Sequence, residues 1–168
     1  MERDFVISSL YLFKGENIMN NLEKVSVYFA SPWFTDEQAE REDRVKGKLR
    51  ELGFDVWSPK DNCVCPPNAD NETRRKVFLD NCKGIESSDV LFAITDGKDM
   101  GTIWEAGYAV GIKNKTIVYY CETLGENGQF NLMLAQSADI VITNFEDLNK
   151  LPKMIRNGEK LEYVGNIE

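Results

Sequence analysis

Four short runs of consecutive apolar residues constrain the fold of this chain more than any other feature. They are Lys24–Ala30 (KVSVYFA), Asp89–Thr95 (DVLFAIT), Thr116–Tyr120 (TIVYY) and Asp139–Thr143 (DIVIT). Each run is rich in β-branched and aromatic residues and does not alternate with polar ones, which is typical of strands buried on both faces of a parallel sheet. Phe54–Trp57 predicts a shorter strand of the same kind.

Amphipathic segments separate these strands and predict helices that cover the sheet. Thr35, with Gln38 three residues later, predicts a capping box at the start of the first one. Strands that alternate with helices, joined by right-handed crossovers, predict an α/β fold: a flavodoxin-like (Rossmann-like) three-layer sandwich with a five-stranded parallel sheet. The helices are expected at Asp36–Leu52, Asn71–Ser88, Thr102–Ile112, a short stretch within Phe130–Gln136, and about Phe145 to Arg156.

The 168 residues suit a single domain, which we place at residues 24–168. Residues 1–23 carry scattered apolar residues without a period and read as an N-terminal extension. The peptide Lys14–Met19 can be encoded by a purine-rich stretch similar to a bacterial ribosome-binding site. The hypothesis is that Met19 is the natural start; an ordinary N-terminal strand or tail is the alternative.

The chain contains no histidine. This excludes Ser-His-Asp and Cys-His activation of a nucleophile and removes the commonest ligand of catalytic zinc. The 28 acidic residues exceed the 20 basic ones, which gives a net charge of −8. Such a surface repels phosphate backbones and anionic lipids, so nucleic-acid polymers and membranes are poor partners.

The four cysteines are too few and too irregularly spaced for a disulfide scaffold in a chain of this length. Cys63 and Cys65 form a single Cys-x-Cys without a second pair that would complete a thiolate metal site. The sequence therefore predicts free thiols in a reducing cytoplasm and no metal.

Ligands of such sheets bind outside the carboxyl ends of the strands, and the loop after the third long strand carries the candidate chemistry. Asp96, Asp99 and Glu105 are expected between that strand and the first turn of the next helix. A helix N-terminus stabilises a carboxylate as the anion, the state that a nucleophile needs, although the same position suits a glutamate that only compensates the dipole. A phosphate loop is not favoured, because the glycine spacing matches neither common motif and the two aspartates would repel phosphate.

Five blocks resemble the nucleoside 2-deoxyribosyltransferases and follow that family's order over about residues 24–145. Glu-Ala-Gly-Tyr-Ala at residues 105–109 is the most specific part. The blocks are Val27–Asp36, Ser58–Asn62, Asp80–Ile85 with Ser88 and Asp89, Asp99–Ala109, and Asn131–Met133.

The resemblance implies transfer of 2-deoxyribose between nucleobases, with deoxynucleosides and free bases as partners and no cofactor. Glu105 would form a covalent deoxyribosyl intermediate, and two inversions would give net retention, as in a retaining glycosidase. A hydrolase, in which water intercepts the intermediate, is the second interpretation. A non-catalytic nucleotide-binding module is the third, and a receiver-type signalling domain fits less well.

The resemblance also implies roles for side chains near the base. Tyr28 would orient the nucleophile, although a strand-end aromatic can equally fill the core. Asp80 would protonate the departing base, which requires a raised pKa, whereas an isolated helix aspartate is ordinarily solvated. Trp33 and Phe34 would wall the base, or else form a hydrophobic staple before the Thr35 cap.

Further residues are implied to bind substrate. Asp99 and Asn131 would hold the sugar hydroxyls, with Asn131 reaching in from a neighbouring subunit and Met133 packed beside them. Asp61 belongs to a matching block and is counted with them. Cys63 stands where many members carry a glutamine that reads the base edge. The family implies a homo-oligomer, commonly a hexamer.

Two features bear on substrate and on site closure. The segment Asn131–Met133 lacks the serines with which related monophosphate hydrolases grip phosphate, so it favours an uncharged nucleoside. The C-terminal segment Tyr163–Glu168 departs from the family, so the role of closing a neighbour's site is not carried over.

Overall fold

The structure contains the predicted central sheet. The computed structural model describes residues 24–124 and 128–168. Five parallel strands form the central sheet in the order β2-β1-β3-β4-β6, which confirms the flavodoxin-like prediction. In chain order the strands are β1 Ser26–Ala30, β2 Asp55–Trp57, β3 Val90–Ile94, β4 Thr116–Tyr120, β5 Gln129–Phe130, β6 Ile140–Ile142 and β7 Asn166–Ile167.

Helices cover both faces of this sheet and enclose two hydrophobic clusters. One cluster contains Val45 and Leu49 of α1 together with Met154 of α6, and the other contains Ile85 of α3 and Ala106 of α4. The predicted three layers are therefore present. The α-helices are α1 Asp36–Glu51, α2 Pro59–Asn62, α3 Asn71–Ser87, α4 Met100–Val110, α5 Leu132–Ser137 and α6 Leu151–Asn157.

A buried ionic cluster fixes the chain after β2 against α1. The carboxylate of Glu42 is fully buried and lies 2.9 Å from Lys46 Nζ and 3.0 Å from Lys60 Nζ. The Ser58 hydroxyl donates to the same carboxylate at 3.1 Å. Because a buried charge without partners is very unfavourable, this set of contacts fixes the segment that leads to Cys63.

The predicted elements differ most from the structure at three places. Helix α4 begins at Met100 rather than Thr102, because the Asp99 carboxylate accepts a capping hydrogen bond from Thr102 N at 2.8 Å. Helix α2 lies within the stretch predicted as a loop. The last predicted helix is split into a 3-10 segment, Phe145–Lys150, and α6. Pro152 lies in the first turn of α6, and within one continuous α-helix its ring would clash with an upstream carbonyl.

A second, two-stranded sheet was not predicted from the sequence. Strands β5 and β7 pair in parallel, and Glu168 N donates to Phe130 O at 3.0 Å. Lys98 Nζ lies 2.7 Å from the Glu168 carboxylate. The C-terminal segment therefore packs against its own chain.

The predicted extension at residues 1–23, with the proposed start at Met19, lies outside the described residues. Within the described part of the chain, every helix is too short or too polar to cross a bilayer.

Candidate active site

The candidate site is built around a hydrogen bond between strand β1 and helix α4. Tyr28 is fully buried in β1, and its hydroxyl donates to Glu105 Oε1 at 2.6 Å. This contact joins residues 77 positions apart in the sequence. It fixes the orientation of the Glu105 carboxylate against strand β1.

The electrostatic setting of Glu105 is the reverse of the one expected. The earlier start of α4 places Glu105 in the second turn, beyond the first-turn N–H groups that stabilise an anion. Burial instead raises the pKa of Glu105 to about 7; the hydrogen bond from Tyr28 opposes this shift, and the negative charge of Asp99 adds to it. The carboxylate is thus poised between its charged and neutral forms near neutral pH.

The ring of Trp57 packs against the ring of Tyr28. Trp57 was not among the residues singled out from the sequence. The two residues are register partners on β1 and β2, and their rings stack with centroids 5.0 Å apart. Burial raises the pKa of the Tyr28 hydroxyl far above its ordinary value, so it remains a proton donor to Glu105. A prediction of strand order would have placed Trp57 here, because neighbouring parallel strands align their side chains.

A cavity of about 670 Å³ runs along β2 and α3 and is lined by Trp57, Cys63 and Asp80 among others. The Cys63 thiol donates to Asn81 Oδ1 at 2.6 Å. Burial, followed by the charges of Asp80 and Glu105, raises the pKa of Cys63 to about 11, so the group is a neutral thiol. Asn81 is a further polar neighbour of this cavity that the sequence did not reveal.

Asp80 lies on α3 and lines the cavity beside β2, but its pKa changes in the opposite direction to the one that its predicted role requires. Its carboxylate lies 2.6 Å from Lys76 Nζ, one helical turn away. The hydrogen bond from Lys76 lowers the pKa of Asp80, whereas a proton donor requires a raised one. The raised pKa that the proton-donor role requires is therefore absent in this structure, because α3 supplies a cation at the adjacent turn. The role of Asp80 as the acid stays a prediction.

Comparisons with known proteins match this architecture. The family model described as nucleoside 2-deoxyribosyltransferase matches residues 27–135, which is more than half of the chain. The chain belongs to the nucleoside 2-deoxyribosyltransferase family. No curated protein matches it.

Solved structures agree with this assignment. A 2-deoxyribosyltransferase from the psychrotolerant bacterium Bacillus psychrosaccharolyticus is 28% identical with a TM-score of 0.72, covering 83% of this chain and 99% of its own. A conserved protein from Enterococcus faecalis V583 is 21% identical with a TM-score of 0.66, covering 79% of this chain and 99% of its own. The Clostridium botulinum CMP N-glycosidase BcmB is 21% identical with a TM-score of 0.51, covering 76% of this chain and 98% of its own. The last two share the fold.

Within one chain of this family member, the predicted sugar-binding residues lie apart from the cavity beside β2. Asn131 and Met133 line a separate cavity of about 410 Å³ that also contacts Lys98 and Glu168. In residues 24–124 and 128–168, no side chain lines both cavities. Asn131 Oδ1 accepts a hydrogen bond from Met133 N at 3.0 Å and caps α5.

The remaining predicted residues have local partners. The Asp61 carboxylate accepts hydrogen bonds from Lys46 Nζ at 2.8 Å and Arg50 Nη2 at 2.7 Å. Partial burial acts to raise its pKa, but these two cations hold it below the usual range. Asp61 therefore contacts α1 in this structure. The rings of Trp33 and Phe34 stack at 5.4 Å, with Phe34 70% exposed.

Exposed apolar side chains bear on assembly, and clusters of ligating side chains bear on metal binding. Phe78, Trp104 and Tyr108 form an aromatic row across α3 and α4, and Phe78 and Trp104 are each 47% exposed. Met133 is 75% exposed. Nowhere in the described ranges do three cysteine, aspartate or glutamate side chains converge as they would around a metal ion.

Proposed function

We propose that this protein transfers 2-deoxyribose between nucleobases through a covalent deoxyribosyl intermediate on Glu105. The observation that carries the proposal is the 2.6 Å hydrogen bond from Tyr28 to Glu105, within the part of the chain that matches the family. A carboxylate held in one orientation by a neutral donor suits attack on a carbon centre.

The steps follow those of a retaining glycosidase. A Glu105 carboxylate oxygen bonds to the anomeric carbon as the N-glycosidic bond breaks, and the departing base takes the electron pair and a proton. We assign the proton donor to Asp80, on the further premise that bound substrate displaces Lys76 from its carboxylate and thereby raises the pKa of Asp80. A nitrogen of the second base then attacks the same carbon, the bond to Glu105 breaks, and the incoming base loses a proton. The two inversions give net retention.

The electrostatics of Glu105 favour catalysis above neutral pH. Its pKa of about 7 means that the nucleophilic anion is the major form only above that pH. We expect a poorly hydrated carboxylate to be more reactive than a solvated one once it is ionised. Rates should therefore fall as pH decreases through 7.

We also propose that the active enzyme is a homo-oligomer in which Asn131 of one subunit completes the site of another. The separate cavity that contains Asn131 and the exposed aromatic row on α3 and α4 support this assembly. Refolding a mixture of Glu105→Ala and Asn131→Ala subunits should restore activity, because some sites would then receive both intact residues. If the mixture stays as inactive as its components, Asn131 does not act across subunits.

Hydrolysis is the second candidate reaction. It differs only in that water, rather than a base, attacks the covalent intermediate. The Clostridium botulinum CMP N-glycosidase shares this fold, so the fold is compatible with hydrolysis of an N-glycosidic bond. An uncharged nucleoside is the proposed substrate in either case, because Asn131–Met133 offers no cation or serine to a phosphate group. A cytoplasmic location stays a prediction of the sequence.

Chromatography of a deoxynucleoside incubated with a different free base, without added cofactor, separates the candidates. A new deoxynucleoside indicates transfer, free 2-deoxyribose indicates hydrolysis, and an unchanged mixture contradicts both. Glu105→Ala should abolish turnover, while Glu40→Ala, at an exposed position in the second turn of α1, should not change it. The ribonucleoside counterpart should react far more slowly, because a 2-hydroxyl destabilises the cationic transition state.

A further inference from the structure

Gly84 lies where helix α3 crosses the two stacked rings beside the nucleophile. A Cβ atom at this position would lie 3.1 Å from Trp57 Cε3, 3.1 Å from Trp57 Cζ3 and 3.1 Å from Tyr28 Cδ2. All three separations are shorter than the 3.4 Å at which ordinary contacts begin. The absence of a side chain at Gly84 therefore allows α3 to lie directly on both rings.

These rings connect α3 to the reacting group. Trp57 and Tyr28 are register partners on adjacent strands, and their rings stack with 25° between the planes. The far end of the Tyr28 ring carries the hydroxyl that donates to Glu105. A path of direct contacts thus runs from Gly84 through the two rings to the carboxylate.

We propose that Gly84 and Trp57 are positioning residues that hold the Tyr28 hydroxyl in place for Glu105. The inference rests on the proposed function, because it assigns Glu105 as the nucleophile. Neither residue needs to touch the substrate to act in this way.

The effect of a methyl group at Gly84 follows from the geometry of the ring. The methyl would press on Tyr28 Cδ2, near the pivot of the side chain, while the hydroxyl lies at its opposite end. A shift of a few tenths of an ångström at the pivot is therefore enlarged at the hydroxyl. Misplacement by about 1 Å can lower a rate by about a hundredfold, so a smaller shift should lower it by about tenfold.

Gly84→Ala is the test, with Gly47→Ala as the matched control. Gly47 also lies within a helix, but a Cβ there has nothing within 4 Å. Gly84→Ala should lower kcat about tenfold with a smaller change in KM, and Gly47→Ala should leave both unchanged. Trp57→Phe, which removes part of the stack without adding volume, should lower kcat in the same direction.

A readout independent of activity is the ¹³C shift of the Glu105 carboxyl as a function of pH, assigned with Glu105→Gln. Tyr28→Phe removes the hydrogen bond and should raise the pKa of Glu105. Gly84→Ala should raise it in the same direction by a smaller amount, and Gly47→Ala should not.

Wild-type titration values in both Gly84→Ala and Trp57→Phe would overturn the positioning role. If Gly84→Ala does not fold, Trp57→Phe alone decides in the same way. A wild-type enzyme that turns over no nucleoside would refute the proposed function, while the titration would still report on Gly84 and Trp57.

Discussion

The perturbed carboxylate of Glu105 predicts a stability that increases when the nucleophile is removed. The pKa of Glu105 is about 7 in the folded protein against an ordinary 4.5. At about 1.4 kcal/mol for each tenfold change in the ionisation constant, this difference corresponds to about 3 kcal/mol. Burying the charged carboxylate thus lowers the free energy of unfolding by about that amount above pH 7.

The direction of the pKa shift of Glu105 determines the pH range in which the protein is destabilised. Because the folded pKa is raised, the folded state binds a proton more tightly than the unfolded state between pH 4.5 and 7. The destabilisation is fully present above pH 7, decreases as pH falls through this range, and is absent below the unfolded value. Glu105→Gln keeps an oxygen that can accept from Tyr28 but carries no charge at any pH.

Urea denaturation of both proteins at pH 8.5 and pH 4, at equal protein concentration, measures this effect. Glu105→Gln should be more stable than wild type by about 2–3 kcal/mol at pH 8.5 and nearly equal to it at pH 4. Glu40→Gln is the control, because Glu40 also lies in the second turn of its helix, α1, but is exposed. Its stability relative to wild type should not depend on pH in this way. A Glu105→Gln protein that is equally or less stable than wild type at pH 8.5 would refute the reasoning.

Three other predictions test the site and its support. Tyr28→Phe should lower kcat by about tenfold or more. It should also shift the acid limb of the pH–rate profile to higher pH, because the hydrogen bond that favours ionised Glu105 is lost. An acid limb at the wild-type pH would contradict this. Asp80→Asn should slow transfer about 10²–10⁴-fold. Lys76→Met should move the alkaline limb of the pH–rate profile to higher pH, because it removes the cation that lowers the pKa of Asp80. An alkaline limb that is unchanged in both variants would exclude Asp80 as the acid. Glu42→Ala should reduce the free energy of unfolding, measured in urea, by about 1–3 kcal/mol, because Lys46 keeps Asp61 at 2.8 Å but loses the fully buried carboxylate, and the Ser58 hydroxyl loses its acceptor. A loss below about 0.5 kcal/mol would contradict this reasoning.

The sheet was predictable because its determinants are local. Apolar runs such as Asp89–Thr95 and Thr116–Tyr120 read as strands buried on both faces whatever lies beside them, and β3 and β4 are the result. Thr35 likewise formed the predicted capping box with Gln38. Boundaries were less predictable where one side chain chooses between neighbours, as when Asp99 capped α4 before the expected start.

The site divides in the same way between sequence and structure. The sequence by itself determined which residue types are available: with no histidine, acid–base chemistry falls to carboxylates, and the Glu-x-Gly-Tyr-Ala motif singles out Glu105. Only the tertiary structure decided how those carboxylates ionise. The pKa values of Glu105 and Asp80 changed in directions opposite to the ones expected. Burial of Glu105 against Tyr28 depends on how α4 packs on the sheet, and solvent access and charge neighbours of that kind are properties of the folded surface that no local pattern encodes.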